Sequence, residues 1–447
     1  MKVNLLANTK GVWFSGLVAG QLLLVPSLSY ANSELFFEIR ERAEQQENLN
    51  DKFYGANPKV GESSDSYLLS RIRIGLNHQF DDHWSGRVSL QDSRVFGWGF
   101  ADADWSSAEF GGLVNDPQQD PLELGDTWLH YQDEFWETKI GRQSIAYGDQ
   151  RVFGPGAWKN SGKWIWDAAK LRIKQDQNWL EAFYGKTKIH DPDEFSLTHR
   201  HGFTGSGLYG HYKLTPAWLI EPMVFTKFND DSLSYQEKDQ LNYGARVVYK
   251  DYGFKVDATA LKQVGELTDN RGQNLDMDAY AYSLDATYRF SPQWMLGFTH
   301  AFASGDDKST AANERFDGAY GAAAKYYGQM NVMAWSNLAD YALIANYRPH
   351  RDWQIEAEYH QFYADQIDDA WKAYKSGLNA QSQHYGNEID LIASYRYSKQ
   401  LDLKLGLGVF MPGDAIKQAV DNAQANLTDD TAYSAFFQVQ YKFKQGL

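Results

Sequence analysis

The sequence predicts an all-β protein: a transmembrane antiparallel β-barrel of about eighteen strands, with short periplasmic turns and long extracellular loops. Three observations carry that expectation. Aromatic residues reach 15% of the 447 residues (28 Tyr, 25 Phe and 15 Trp), yet mean hydropathy is −0.57. A soluble core that rich in rings also raises Leu, Ile and Val, whereas a barrel alternates lipid-facing apolar with lumen-facing polar side chains and adds Tyr and Trp girdles. Apolar residues also recur at every second position along most of the chain, the period of a strand and not of a helix. Finally, the connections between these runs are alternately short and long, an asymmetry for which a soluble sandwich has no reason.

The first segment reads as a targeting signal. Lys2 and Lys10 accompany the apolar run GVWFSGLVAGQLLLVPSLSYA, which closes on Ser29-Tyr30-Ala31 with small residues at signal-peptidase spacing. Residues 1–31 are therefore expected to be a signal peptide and 32–447 a single outer-membrane barrel domain, the competing reading being an uncleaved anchor. No later apolar stretch reaches about 18 residues, so no transmembrane helix is expected. In SYLLSRIRIGLNHQF, Leu68, Ile72, Ile74, Leu76 and Phe80 share one face, and Arg71, Arg73, Gly75, Asn77 and Gln79 the other. In DAYAYSLDATYRF, Tyr280, Tyr282, Leu284, Ala286, Tyr288 and Phe290 oppose Ser283, Asp285, Thr287 and Arg289.

The same split places strands near 34–44, 66–80, 83–95, 124–133, 136–146, 165–175, 178–187, 204–213, 217–229, 239–250, 252–264, 278–290, 293–303, 337–348, 352–364, 386–398, 401–411 and 430–443. Short turns fall at Asp81-Asp82, Glu134-Phe135, Asp176-Gln177, Thr215-Pro216, Asp251, Ser291-Pro292, Pro349-His350 and Lys399-Gln400. Long loops such as 96–123, 304–336 and 365–385 lie between them. An even strand count puts both termini on the periplasmic rim. Outer-membrane barrels usually finish on an aromatic residue, but here four residues follow Phe443.

Alternation also sorts the charges. Arg40, Arg42, Arg71, Arg73, Arg87, Lys170, Arg172, Lys174, Arg246, Lys250, Lys255, Arg289, Arg348, Arg396, Lys404 and Lys442 are expected to face the lumen. Glu38, Glu221, Asp257, Asp285, Glu356, Glu358, Glu388, Asp390 and Asp402 are the acidic candidates. The chain carries a net charge of −15, which disfavours a nucleic-acid partner, while this inferred lumen is basic. A basic lumen in a low-dielectric wall concentrates anions, and guanidinium groups bind carboxylates as a planar fork. Any one of these residues could instead brace the wall in an Arg–carboxylate pair. The group Arg71, Arg73 and Arg87 favours a solute path, because their two strands carry no inward acid.

Other chemistries find little support. There is no cysteine, so neither disulfides nor a thiol nucleophile are available. No GxSxG, HExxH or P-loop motif occurs, and no Ser–His pair stands out, so an enzyme is not expected. The carboxylate pairs Glu356/Glu358 and Glu388/Asp390 fall on an inferred lumen wall, not at a cleaved bond. No cofactor is expected beyond a weak Ca²⁺ candidate, Asp102, Asp104 and Glu109, in an acidic loop that also holds Asp116, Asp120 and Glu123. That spacing lacks the full pattern of a calcium loop, and the alternatives are solvated loop charges or Ca²⁺ bridges to lipopolysaccharide.

Several stretches resemble the alginate export family of outer-membrane barrels: LSRIRIGL (69–76), GRVSLQDSRVFG (86–97), KIGRQSIAYGDQRVFG (139–154), WDAAKLRI (166–173), ASGDD (303–307), YYGQMN (326–331), NEIDLIASYRY (387–397) and MPGD (411–414). The resemblance implies an 18-stranded monomeric barrel of the Gram-negative outer membrane. It would be inserted by the outer-membrane assembly machinery and pass a polyanionic, alginate-like polysaccharide through an Arg-rich pore. It further implies pore roles for Arg71, Arg73, Arg87, Arg142 and Arg172, with Arg94 and Arg151, and makes Asp149 an acidic partner near the constriction. Two departures stand out. Ala168 replaces a frequent glycine, and Ser398–Leu401 is a tight turn where polysaccharide exporters carry a long periplasmic loop. A general anion-selective porin, or a porin for oligosaccharide uptake, therefore competes with polymer export. An outer-membrane enzyme and a secreted carbohydrate binder are the readings from other classes.

GRQSIAYGDQRVFGPGAWKNSGKWIWDAAKLR (141–172) is expected to hold an external hairpin loop, either folded inward with Asp149 and Arg151 narrowing the mouth, or a glycine-bent surface loop with Trp158, Trp164 and Trp166 near the membrane rim. Ile140 and Arg142 share a face by parity, so Arg142 reaches the lumen only if Gly141 or a neighbour forms a bulge.

Overall fold

The computed structural model describes residues 32–49, 64–97, 112–156, 158–192, 200–229, 237–269, 272–322, 325–369, 380–422 and 429–447. The expected signal peptide and the calcium candidates Asp102, Asp104 and Glu109 lie outside the described residues.

The strands are β1 (Ser33–Glu47), β2 (Asp65–Gln79), β3 (Trp84–Phe96), β4 (Asp120–Leu124), β5 (Thr127–Gln132), β6 (Trp136–Ser144), β7 (Ile165–Gln175), β8 (Asn178–Lys188), β9 (His201–Lys213) and β10 (Trp218–Asn229). They continue with β11 (Lys238–Asp251), β12 (Phe254–Thr268), β13 (Asn274–Arg289), β14 (Trp294–Ala303), β15 (Leu338–Tyr347), β16 (Trp353–Tyr363), β17 (His384–Arg396), β18 (Leu401–Pro412) and β19 (Ala432–Gly446). All pair antiparallel in one sheet, and β19 closes on β1 from Glu34↔Gly446 to Glu47↔Tyr433. Closure removes every sheet edge, the condition for a sheet to stand in lipid. The residues after Phe443 are part of that seam, since Leu447 N–H donates to Ser33 O.

The single strand expected at 124–133 is split. β4 and β5 both pair with β3 and form two halves of one stave, so the wall has 18 staves. The break falls at Gly125–Asp126, where Gly125 N–H donates to Ser89 O. A Cβ on Gly125 would stand 2.8 Å from Ser89 Oγ, so a larger residue at this jog would make the Ser89 side chain turn away. A second departure is α1 (Asp414–Asn422), which lies where an irregular loop was expected. Its buried residues Ala415, Ile416 and Ala419 lie on one face.

The outer face is apolar. Ile72, Ile74, Val88, Leu90, Ile140, Leu171, Ile173, Leu296, Leu343, Leu391, Leu405 and Leu407 are all exposed on it. A belt of that extent belongs in hydrocarbon and not in water. At the short-turn rim, aromatic residues stand directly opposite one another on neighbouring strands: Trp84/Tyr131, Trp218/Tyr249, Phe254/Tyr288, Trp294/Tyr347 and Trp353/Tyr395. Their ring centroids are 4.2 to 5.0 Å apart. One local device sets up much of this girdle. Asp81, Asp133, Thr215 and Ser291 each accept, through a side-chain oxygen, from the backbone N–H groups two and three residues on. The third residue is Trp84, Trp136, Trp218 or Trp294, so the turn-forming side chain fixes where the returning strand presents its tryptophan.

The hydrophobic core lies inside the barrel, where two long loops, 145–164 and 304–337, pack against inward residues of the wall. They meet in a parallel bridge between Phe153 and Tyr320, with Gly154 N–H donating to Tyr320 O and Tyr320 N–H to Val152 O. Around the bridge, Trp166 from β7 packs on Tyr320 at 4.6 Å, and Phe225 from β10 packs on Phe153 at 4.6 Å. Trp164 Nε1–H donates to Gly321 O. Trp166 is fully buried. Trp166→Ala is expected to destabilise the fold by about 3–5 kcal/mol, read as a lower urea midpoint for loss of the heat-modifiable folded band on gels.

Candidate functional site

The inner faces of β1, β2 and β3 carry Arg40, Arg42, Arg71, Arg73 and Arg87. Arg40 stands directly opposite Arg71, and Glu38 opposite Arg73. Like charges directly opposite repel, and the surroundings offset this. Arg71 donates to Glu38 at 2.7 Å, and Arg73 lies 4.0 Å from the same oxygen. The inward 145–164 loop supplies further acceptors: Arg40 and Arg71 both donate to Asn160 O, and Arg42 donates to Trp158 O while stacking on that ring at 3.9 Å. Beside Arg71, Arg73 and Arg87 neither β2 nor β3 carries an inward carboxylate, although β2 begins with Asp65 on the inner-face parity. The counter-charge comes from the neighbouring β1, a relation that reading each strand separately does not reveal.

Arg73 and Arg87 remain the more open members. Arg87 stacks over Phe36 at 4.1 Å and has no carboxylate at ion-pair distance among the described residues. The two line a cleft of about 130 Å³ with Ser89, Gln91, Asp126 and Lys442. At the short-turn rim, Arg348, Arg351, Arg396 and Lys404 line a wider opening of about 430 Å³ together with Asp352 and Asp402. Arg289 is exposed on the inner-face parity of β13 near the same rim.

Other expected cations are bound up in braces. Arg246 is held between Glu221 and Asp257, with Nε 2.7 Å from Asp257 Oδ1. Arg172 lies 2.8 Å from both Glu137 and Glu181, and Lys170 lies 3.1 Å from Glu181. Arg151 does not face the solute path. Its side chain is fully buried, donating to Asp285 at 2.8 Å and to Tyr327 Oη at 3.2 Å, and stacking on Tyr326 at 4.0 Å. Asp149 accepts from the Arg151 backbone N–H at 3.0 Å. These two residues fix the inward loop to β13 and to the 304–337 loop, and do not narrow an open mouth.

Two expected pore residues stand on the outer face. Arg94 has the parity of Val88 and Leu90 and is 51% exposed; its guanidinium forms a two-bond pair with Asp92 on the same face. Arg142 keeps the parity of Ile140, because the β5–β6 and β6–β7 ladders run through Gly141 without a shift. No bulge re-aims it. Gly141 has φ +123, and a Cβ there would stand 2.4 Å from Thr127 O, so glycine allows a close approach that leaves the pairing count unchanged. Arg142 instead forms a two-bond pair with Asp167 at 2.8 Å, and His201 Nε2 lies 2.8 Å from that same carboxylate.

Sequence reasoning missed the interior role of several acids. Asp120 and Glu123, grouped with an acidic loop, are buried, and Lys188 lies 2.7 Å from Asp120 while pairing also with Glu123. Glu137 and Glu181 went unnoticed as acceptors, although each alternates with exposed apolar neighbours and was legible by parity. In the 304–337 loop, Asp317 lies 2.8 Å from both Lys227 and Lys238. Burial alone would raise its pKa, but the two ammonium groups outweigh that and hold it below the usual carboxylate range. The Tyr147 hydroxyl in the other loop is raised by burial and by Glu181, to which it donates.

A closed antiparallel barrel with an apolar belt, an aromatic girdle and a charged interior is a transmembrane channel barrel of the outer-membrane type. The chain belongs to the alginate export family: the family model, described as "Alginate export", matches residues 34–430. No curated protein matches it. Among solved structures it is similar to OccAB2 of Acinetobacter baumannii, at 13% identity with a TM-score of 0.59, covering 92% of this chain and 98% of that one. OpdQ of Pseudomonas aeruginosa gives 13% identity and a TM-score of 0.59, covering 92% and 99% respectively. OccK8 (OprE) of the same organism gives 12% identity and 0.58, covering 92% and 98%. At these identities the likeness is one of fold.

The braces make two predictions. Asp285→Ala leaves Arg151 buried without one of its carboxylates and is expected to cost about 3–5 kcal/mol, seen as protease cleavage within the 145–164 loop that the wild type resists. Asp317 has its pKa depressed, so its contribution is complete above the unfolded value of about 4 and is lost as pH falls below it. Protection of the 304–337 loop from proteolysis is therefore expected to stay level from pH 7 to about pH 4 and to decline only below that. In Asp317→Asn that protection is reduced already at pH 7.

Proposed function

We propose that the protein is an outer-membrane channel that passes an anionic solute, in the first place an alginate-like polyuronate, along the arginines of β1–β3 toward the basic opening at the periplasmic rim. The observation that carries this reading is Arg87: a lumen-facing guanidinium stacked on Phe36, with no carboxylate at ion-pair distance among the described residues. Arg73 beside it lies only at the limit of an ion pair with Glu38. Cations left open in a low-dielectric wall attract carboxylates, and a uronate chain offers one per sugar. Arg348, Arg351 and Arg396 extend the same field to the rim. Membership of the alginate export family supports both the outer-membrane location and the class of cargo.

A second reading, a porin for small anions or oligouronides, is favoured by the two braced loops. They fill part of the lumen with a packed aromatic cluster and leave less width for a polymer. In either case the channel is passive and the gradient sets direction.

Planar-bilayer recordings test the proposal. Anion-selective reversal potentials are expected, together with concentration-dependent block by alginate oligomers. Arg73→Ala/Arg87→Ala is expected to weaken that block by about tenfold, the loss of roughly one charge-assisted contact. Cation selectivity in the wild type, or equal block in wild type and double variant, overturns the proposal. Block by oligomers without passage of long chains selects the second reading.

A further inference from the structure

We propose that the inner wall holds a divalent transition-metal site, zinc first, formed by Glu358, His360 and Asp390 and supported by Glu388 and Asp340.

The register creates the problem that the ion solves. On β16 and β17, Glu358 stands directly opposite Asp390, and His360 directly opposite Glu388. Asp340 reaches the same imidazole from β15. Four carboxylates thus surround one histidine, and no Lys or Arg among the described residues forms an ion pair with any of them. Like charges directly opposite on neighbouring strands are destabilising, and a buried carboxylate without a partner costs far more. Glu388 and Asp390 are both fully buried; Glu388 Oε2 and Asp390 Oδ1 accept from no N–H or O–H donor, and the two carboxyl groups lie within hydrogen-bonding reach of each other.

The donor geometry suits a metal. One atom each of Glu358, His360 and Asp390 lie within 4.8 Å of one another. His360 Nδ1 is 3.0 and 3.1 Å from the two oxygens of Asp340, and with the proton on Nδ1 the Nε2 lone pair would be free to bind a metal. A carboxylate holding the far nitrogen of a ligating histidine is the usual outer arrangement of a metal site. Nε2 faces Glu358 Oε2 at 3.4 Å, a gap that either a proton on Nε2 or a metal ion would bridge. One imidazole with carboxylate oxygens suits Zn²⁺ better than Ca²⁺, which takes oxygens alone.

The remaining oxygens of the two buried acids are occupied by the inward 304–337 loop: Gln329 N–H donates to Asp390 Oδ2 at 2.9 Å, and Met330 N–H to Glu388 Oε1 at 2.8 Å. Glu388 also packs against Gly328, where a Cβ would stand 2.5 Å from its carboxyl carbon. Glu358 is partly open to the lumen and gives the ion a way in. A second group of the same residue types, Asp120, Glu123 and His190, serves as an internal contrast, because there the Lys188 ammonium already sits against the carboxylates.

The test is zinc binding to the full-length barrel refolded in detergent, stripped with EDTA and titrated with zinc chloride by calorimetry. About one zinc per barrel is expected, with a rise in thermal midpoint on saturation. Asp340→Asn, which touches only the far side of the imidazole, is expected to weaken binding ten- to a hundredfold. Glu358→Gln, the least buried ligand change, is expected to abolish both the stoichiometric binding and the thermal shift while its heat-modifiable band shows a folded barrel. His190→Gln is expected to leave zinc binding unchanged. Absence of stoichiometric zinc in the wild type, or wild-type affinity retained in Glu358→Gln, overturns the proposal and leaves the patch to be neutralised by protons. Failure of alginate block with zinc binding intact would sink the transport reading alone.

Discussion

A wall of 18 staves encloses more space than its own side chains can fill. That constraint governs the interior. A small barrel closes its core with wall residues, but this one brings in chain from the 145–164 and 304–337 loops. The loops meet through the Phe153–Tyr320 bridge and seal it with Trp164, Trp166 and Phe225. Backbone groups carried inward by such loops cannot reach bulk water everywhere, so they need partners. Much of the charge in the lumen serves that need.

Interior arginines therefore divide by what faces them. Arg151, Arg172 and Arg246 meet two carboxylates each and act as ties between loop and wall or strand and strand. Arg40, Arg42 and Arg71 spend donors on carbonyl oxygens of the inward loop at Trp158 and Asn160. Where the loop does not reach, at Arg73 and Arg87 and at the short-turn rim, cationic surface is left for a solute. Brace and path are thus successive uses of one basic face. The acid patch of β15–β17 is the converse case, with carboxylates gathered and no arginine paired with them among the described residues.

Alternation made much of this readable beforehand. Strand positions, the short turns and the inward parity of Arg71, Arg73, Arg87, Arg172 and Arg246 all follow from a period of two, because a closed sheet with lipid on one side allows no other pattern. The failures are equally local. Arg142 was expected inside on the strength of the family resemblance, with a bulge at Gly141 required to turn it there. Gly141 is needed for a close approach to Thr127, and the register passes through it unchanged. Arg94 follows its strand parity outward and pairs with Asp92 two residues away. Parity alone already placed both residues correctly.

What the sequence determined by itself was the wall: its class, its stave order, its lipid belt and which side chains enter the lumen, all consequences of local periodicity and turn chemistry. What only the tertiary structure decided was the fate of each charge once inside. Glu38 reaches Arg71 and Arg73, Asp285 reaches Arg151 across more than a hundred residues, and Glu358 comes to face Asp390. These meetings depend on register between strands and on where loops fold back. Both are non-local, and no periodicity within a strand encodes them.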